Sequence, residues 1–347
     1  MPRPAPRSPS LLYALVCVAL LDLLAAAGAA QVRPSSGRIQ PGPSAAQERV
    51  ELTQLELGLR QGQTERALRS LARALKRTPT PLLLLRYAEL TLPLTPRPGG
   101  ADQARVRKAA ELVLEVLARP DFRAEELAHQ LSFHAAWARA LLGAHADALA
   151  QLEQVAGLDP GRGLPYLRAL AALALAGDPA ICERALTTAR SIAPGDPVLL
   201  AELGLFWLAQ GQAQRALPLL AERYAREPGL LSARRDYAYA LSAVGRPGEA
   251  VALLGVAREA CRAASVCGLE LARFALEARD YPAALAEVSA LRTRAPRELS
   301  PLFLEADVHL AQGDAARARA AYKQVLEISP ENLRARAALV GLGETPN

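Results

Sequence analysis

Residues 197–230 read PVLLAELGLFWLAQGQAQRALPLLAERYAREPGL, and residues 299–332 read LSPLFLEADVHLAQGDAARARAAYKQVLEISPEN. Laid over one another, the two strings share a glycine at position 15 (Gly211, Gly313), an alanine at position 20 (Ala216, Ala318) and a proline at position 32 (Pro228, Pro330). Position 8 is small in both, Gly204 and Ala306. Carried outward in steps of 34, the proline column gains Pro160, Pro194 and Pro296, and the glycine column gains Gly143, Gly177 and Gly245, with Arg279 the one departure. Position 20 continues as Ala148, Cys182, Ala250 and Ala284, and position 8 as Ala136, Leu170, Ala238 and Ala272. Four columns held in one register identify a repeat.

Each column has a physical reading. A glycine midway through the unit is expected where a first helix ends and the chain reverses, because glycine adopts the left-handed cap without a Cβ clash. Arg279 at that place costs roughly 1 kcal/mol if it must be left-handed, unless Asp280 and Pro282 start the second helix through an altered turn. Proline near the end of the unit cannot continue a helix and sets the break to the next one. The small residues at positions 8 and 20 fall on opposite helices and let them approach closely. One such hairpin cannot bury its own apolar stripe, so hairpins must stack into a solenoid.

Composition agrees. Of 347 residues 51% are hydrophobic but only 4% aromatic, and Ala and Leu supply most of the apolar mass, which favours helix over strand. The formal charge of +6 falls to about +3 once the segment before the first helical pattern is set aside, too little for a nucleic-acid footprint.

The four columns resemble the tetratricopeptide repeat family over nearly the whole chain beyond its first 47 residues. Units are read at 129–162, 163–196, 197–230, 231–264, 265–298 and 299–332, with an outlying unit at 48–81 carrying Gly62, Ala67 and Pro79. Between them, 82–128 is longer, with helices expected over Leu82–Leu92 and Ala104–Leu117 and a Pro/Gly-rich loop over 93–101. Residues 333–347 read as a capping helix and tail. The resemblance implies an all-α, right-handed superhelical solenoid of about eight antiparallel hairpins. The family's aromatic at position 4 is matched only by Tyr166, that at position 11 only by Trp207, and that at position 24 by Tyr322.

Before the repeats, Arg3 and Arg7 precede the apolar run Leu11–Leu21, Asp22 and the small residues Ala25–Ala30. This reads as a secretory signal over 1–30 with cleavage near Ala29 or Ala30, the alternative being an uncleaved anchor. Both readings put the bulk of the chain outside the cytoplasm, in the periplasm or cell envelope. Residues 31–47 read as a Pro/Ser/Gly tether. The Arg-rich, Lys-poor, Ala-rich composition suggests a GC-rich bacterial genome.

Cys182 stands in the position-20 column and reads as a small core side chain. Cys261 and Cys267 flank the one unit boundary where Arg262 replaces the recurring proline, and read either as a disulfide worth roughly 2 kcal/mol or as two free thiols. His129, His134, His145 and His309 show no metal-ligand spacing, and neither a nucleophile elbow nor a phosphate loop occurs. No enzyme activity, cofactor or metal is expected.

By the same resemblance, first helices line a concave groove through positions 2, 5, 9, 12 and 13. Candidate groove residues are Phe133, His134 and Trp137; Arg168; Arg235, Tyr239 and Arg273; and Phe303 and Asp307. The aromatics would anchor an extended peptide or partner helix, and the arginines would fix its acidic groups. The expected function is a non-enzymatic protein-binding scaffold of the cell envelope, with membrane contact only through an uncleaved N-terminus. The alternative is a carbohydrate-binding accessory in which Trp137 and Tyr239 stack on sugars.

Overall fold

The structure, a computed structural model, describes residues 43–94, 101–124 and 127–344. The expected signal over 1–30, most of the tether and the heart of the 93–101 loop lie outside the described residues. The last five tether residues, 43–47, are helical, because α1 starts at Pro43 and not at residue 48. Among the described residues every regular element is a helix. They fall into two compact units, one reaching Glu202 and the other starting at Leu203.

In the first unit α1 (Pro43–Arg60) pairs with α2 (Thr64–Arg77), α3 (Pro81–Thr91) with α4 (Ala101–Leu117), α5 (Ala128–Leu141) with α6 (His145–Val155), and α7 (Pro160–Ala174) with α8 (Pro179–Ile192). First helices also touch first helices, α3 to α5 and α5 to α7, while second helices do the same, α2 to α4 and α6 to α8. That is the contact pattern of a tetratricopeptide-like solenoid, in which each hairpin buries its stripe against the next.

The start of α9 (Pro197–Ala209) closes this unit, and its end opens the second, with α10 (Ala213–Arg226). There α11 (Leu231–Ala243) pairs with α12 (Pro247–Gly255), α14 (Ser265–Glu277) with α15 (Tyr281–Arg294), and α16 (Leu299–Ala311) with α17 (Ala315–Ile328); α18 (Leu333–Gly341) packs on α17. The unit 231–264 departs from its siblings. Its second helix stops at Gly255, a weak helix former, and resumes as the single short turn α13 (Arg258–Ala263).

That turn brings Cys261 beside Cys267, and a disulfide joins them with Cα atoms 4.7 Å apart. Both cysteines are buried in one cluster with Ala238, Leu241, Ala250, Leu254, Leu271 and Phe274. Arg262, standing where the other units place proline, donates from Nε and Nη2 to the buried Glu287 at 2.8 and 3.2 Å.

The small-residue columns pack as their size requires. Ala136, Ala238, Ala272 and Ala306 at position 8, and Ala148, Cys182, Ala216, Ala250, Ala284 and Ala318 at position 20, have no solvent exposure. Gly204 is tighter still: a Cβ there would stand 2.6 Å from Leu220.

Reversal between helices uses the left-handed cap at most units but not at all. Gly143, Gly211, Gly245 and Gly313 have positive φ, and the N–H of the residue after each glycine returns to a carbonyl five residues back, as in Gln212 to Trp207 at 2.8 Å. Gly177 does not adopt it, a correction to the uniform reading of that column; Asp178 N–H bonds Ala174 O instead, at 2.7 Å. Arg279 does adopt it, with φ of 61°, and Asp280 N–H closes the same ring to Ala275 O at 2.8 Å. The turn is therefore the ordinary one. The Asp280 carboxylate also caps α15, accepting from Ala283 N at 3.1 Å.

Arg279 is exposed and strained. Arg279→Gly is expected to stabilise the second unit by about 1 kcal/mol. Urea unfolding followed by Trp207 fluorescence in a Trp137→Phe background reads this directly, and an unchanged or lower midpoint would mean that the position carries no strain.

Candidate functional site on the first-helix face

The aromatic half of the expected groove is core. Trp137 and Phe133 on α5 are buried, and the Trp137 indole Nε1 donates to Pro93 O at 3.1 Å. Phe133 stacks on Tyr166 of α7, ring centres 5.5 Å apart, with His129 edge-on at 5.2 Å. The Tyr166 hydroxyl lies 3.0 Å from His134 Nδ1. The irregular unit before α5 supplies the physical reason: the chain leaving α3 puts the Pro93 carbonyl over α5, and Tyr166 fills the other side. Phe133, His134 and Trp137 are therefore corrected from ligand anchors to an interlocking aromatic core, and Trp137 has no free face on which a sugar could stack.

Arg168 is also committed. Its Nε donates to both Glu202 carboxylate oxygens at 3.0 and 2.9 Å, and Nη2 donates to Oε1 at 2.6 Å. Glu202 is buried, and desolvation pushes its carboxyl up against the downward pull of Arg168. This bidentate pair joins position 6 of one repeat to position 6 of the next, and it leaves Arg168 no donors in that direction for a ligand.

The second unit differs. On α11, Asp236 is buried and accepts from Arg223 Nη1, whose Nη2 reaches Ser232 Oγ at 3.1 Å. Arg235 is about one third exposed and stands between two carboxylates, 3.5 Å from Asp236 and 3.7 Å from Glu270 on α14. Glu270 is buried and its Oε2 has no hydrogen-bond partner; burial pushes its carboxyl up to about 7, against the fields of Arg235 and Arg273. Half-buried Tyr239 meets Phe274 edge-on at 5.9 Å. Further along, Arg334 covers the Phe303 ring at 4.2 Å and lies 3.8 Å from Asp307, whose carboxyl burial raises.

Helices α11, α14 and α16 lie side by side, so Arg235, Tyr239, Arg273, Phe303 and Asp307 share neighbouring first helices and all keep part of their surface in solvent. Glu202, Asp236 and Glu270 were missed by the sequence reading. Their signal was present, since His134, Arg168, Glu202, Asp236 and Glu270 are a polar column at period 34.

Among known proteins, the tetratricopeptide repeat family profile matches residues 300–332. No curated protein matches the chain. Solved structures with a similar fold include a tetratricopeptide repeat protein from Parabacteroides merdae (14% identity, 70% of this chain and 93% of that one, TM-score 0.46). Another is the C-terminal part of a repeat protein from Cytophaga hutchinsonii (15%, 82% and 98%, 0.49), and a third is pilF from Pseudomonas aeruginosa (16%, 63% and 100%, 0.43).

Two buried titratable groups, His134 in the first unit and Glu270 in the second, contribute pH dependence of opposite sign. His134 is held down to about 4 by burial and then by Arg162, against an ordinary 6.5. Its contribution is complete above pH 6.5 and is lost toward pH 4, by about 3 kcal/mol, as the unfolded chain takes up the proton. Glu270, raised from 4.5 to about 7, contributes fully below pH 4.5 and loses about 3 kcal/mol as pH rises through 7. Denaturant midpoints between pH 4 and 8, read separately through Trp137 and Trp207, should show these slopes. His134→Gln should flatten the first and Glu270→Gln the second, and unchanged slopes in the variants would refute the assignment.

Proposed function

We propose that this tetratricopeptide-repeat protein is an interaction scaffold of the cell envelope that holds a peptide segment or partner helix along the first-helix face of residues 231–311. Tetratricopeptide repeats build protein-binding scaffolds, generally without catalysis of their own, and no catalytic role is assigned to any residue here. The observation that carries the reading is the buried Glu270 Oε2, which has no hydrogen-bond partner and only a 3.7 Å ion contact to Arg235, with the part-exposed Arg235, Arg273 and Tyr239 on adjacent helices. A buried acceptor without a donor costs about 1–3 kcal/mol, and a partner's N–H or O–H placed there would recover it. Tyr239 supplies a flat apolar contact, and the arginines supply donors for acidic groups.

Export is supported by the N-terminal sequence Arg3 to Ala30 and by the Cys261–Cys267 disulfide, since such bonds persist in oxidising compartments. The glycan alternative, which called for Trp137 and Tyr239 as stacking rings, loses the first of them, because the Trp137 indole is enclosed.

The test is crosslinking capture from host envelopes with the full chain, comparing the natural protein with Tyr239→Ala/Arg273→Ala and Glu270→Gln. Partners should fall about tenfold or more in the double variant, and Glu270→Gln should weaken the same partners. Equal recovery from all three proteins would remove this face from consideration.

A further inference from the structure

The charge of the chain is unevenly placed. Residues 43–124 hold fourteen Lys and Arg against nine Asp and Glu, whereas residues 125–347 hold twenty-three against twenty-five. The excess is concentrated on α2. Its apolar side, Ala67, Leu71, Ala74 and Leu75, is buried. Its cations, Arg66, Arg69, Arg73, Lys76 and Arg77, recur every three or four residues and are all exposed, so they form one stripe along a helix of about 21 Å.

The stripe continues onto α4, which packs beside α2 with Arg105 Nη1 3.3 Å from Glu65, and exposed Lys108 follows one turn later. Most of these charges are not neutralised. Among the described residues Arg66, Arg69, Arg73, Lys76 and Lys108 have no ion pair, while Arg77 has only a 4.0 Å contact to Glu51. The stripe is also fixed in place, since Arg119 of the next loop donates to Lys76 O at 2.9 Å and holds the end of α2.

We propose that this basic face, on the hairpins nearest the N-terminus, docks onto an anionic lipid bilayer. An extended anionic surface is what an exposed stripe of mostly unpaired cations fits. In sequence, the hairpin that carries the stripe is the first after the apolar run Leu11–Leu21, which ends about twenty residues before α1. Each exposed Lys or Arg near such a surface contributes about 1 kcal/mol, screened by salt. The surface lies on α2 and α4 and is separate from the first-helix face of residues 231–311, so one can fail without the other.

The measurement is partition of the full chain onto phosphatidylcholine vesicles with about one third phosphatidylglycerol, divided by partition onto phosphatidylcholine alone. The apolar N-terminal segment contributes to both vesicles, and the ratio isolates the charge term. Arg69→Gln/Arg73→Gln should lower the ratio about 30-fold at low ionic strength. Arg294→Gln/Arg297→Gln removes the same charge from exposed positions on the second unit and should leave it unchanged. A ratio near one in the natural chain, or an equal fall in both variants, overturns the proposal. So does retention by a soluble anionic polysaccharide with no preference between the vesicles.

Discussion

Everything in this chain rests on how closely two antiparallel helices can approach. A helix of Ala and Leu with almost no aromatics gains little from any one contact, so the hairpins depend on many contacts made at short range. The alanines at positions 8 and 20 set that range; from residue 129 onward they have no solvent exposure, and Ala67 in the outlying unit is buried with a small remainder. The distance tolerates no growth at Gly204, where a methyl group would run into Leu220, or at Gly58, where it would stand 2.8 Å from the Ala67 Cβ. Stability is then a sum of neighbouring interfaces, and irregularities such as the split second helix of 231–264 can be absorbed locally.

On that apolar frame lies a polar column that the frame does not require. In the first unit it is closed: Arg168 and Glu202 satisfy one another across two repeats. Breaking such a pair leaves a buried charge and is far more costly than never having had it, so the pair enforces register between repeats more than it adds net stability. In the second unit the column is open. Asp236 takes the best donors of Arg223, Arg235 is shared at 3.5 and 3.7 Å, and Glu270 keeps one oxygen without a donor. The same position in the repeat thus serves as a lock in one unit and as an unmet acceptor in the other.

The hairpins were legible in the sequence because turn chemistry and steric size are local. Gly at position 15, Ala at 8 and 20, and Pro at 32 act within one unit, and a period of 34 exposes them. The left-handed conformation of Arg279 followed from the column it stands in; Gly177, where the turn bonds differently, shows that a permitted conformation is not an enforced one. The groove was less legible. Position number says which way a Cβ points, but not what the neighbouring unit has put in front of it. Trp137 and Phe133 occupy the positions of ligand-facing residues, yet Pro93 and Tyr166, arriving from an irregular unit and from the following repeat, enclose them. A scarce aromatic on a first helix has the sequence signature of a contact for a partner, yet here it closes the solenoid's own core.

Of the expected groove residues, those that keep a substantial part of their surface in solvent fall in the later repeats. Arg235 is shared between Asp236 and Glu270, Tyr239 lies half-buried against Phe274, and Phe303 is covered on one face by an arginine that also reaches Asp307. Such a surface has little order to lose on binding, since its helices are fixed by buried alanines beneath, and its charged groups are already partly desolvated. The first hairpins are finished inside and cationic outside. In an array of repeated units, differences in what each unit leaves exposed are enough to give its earlier and later repeats surfaces of different chemistry.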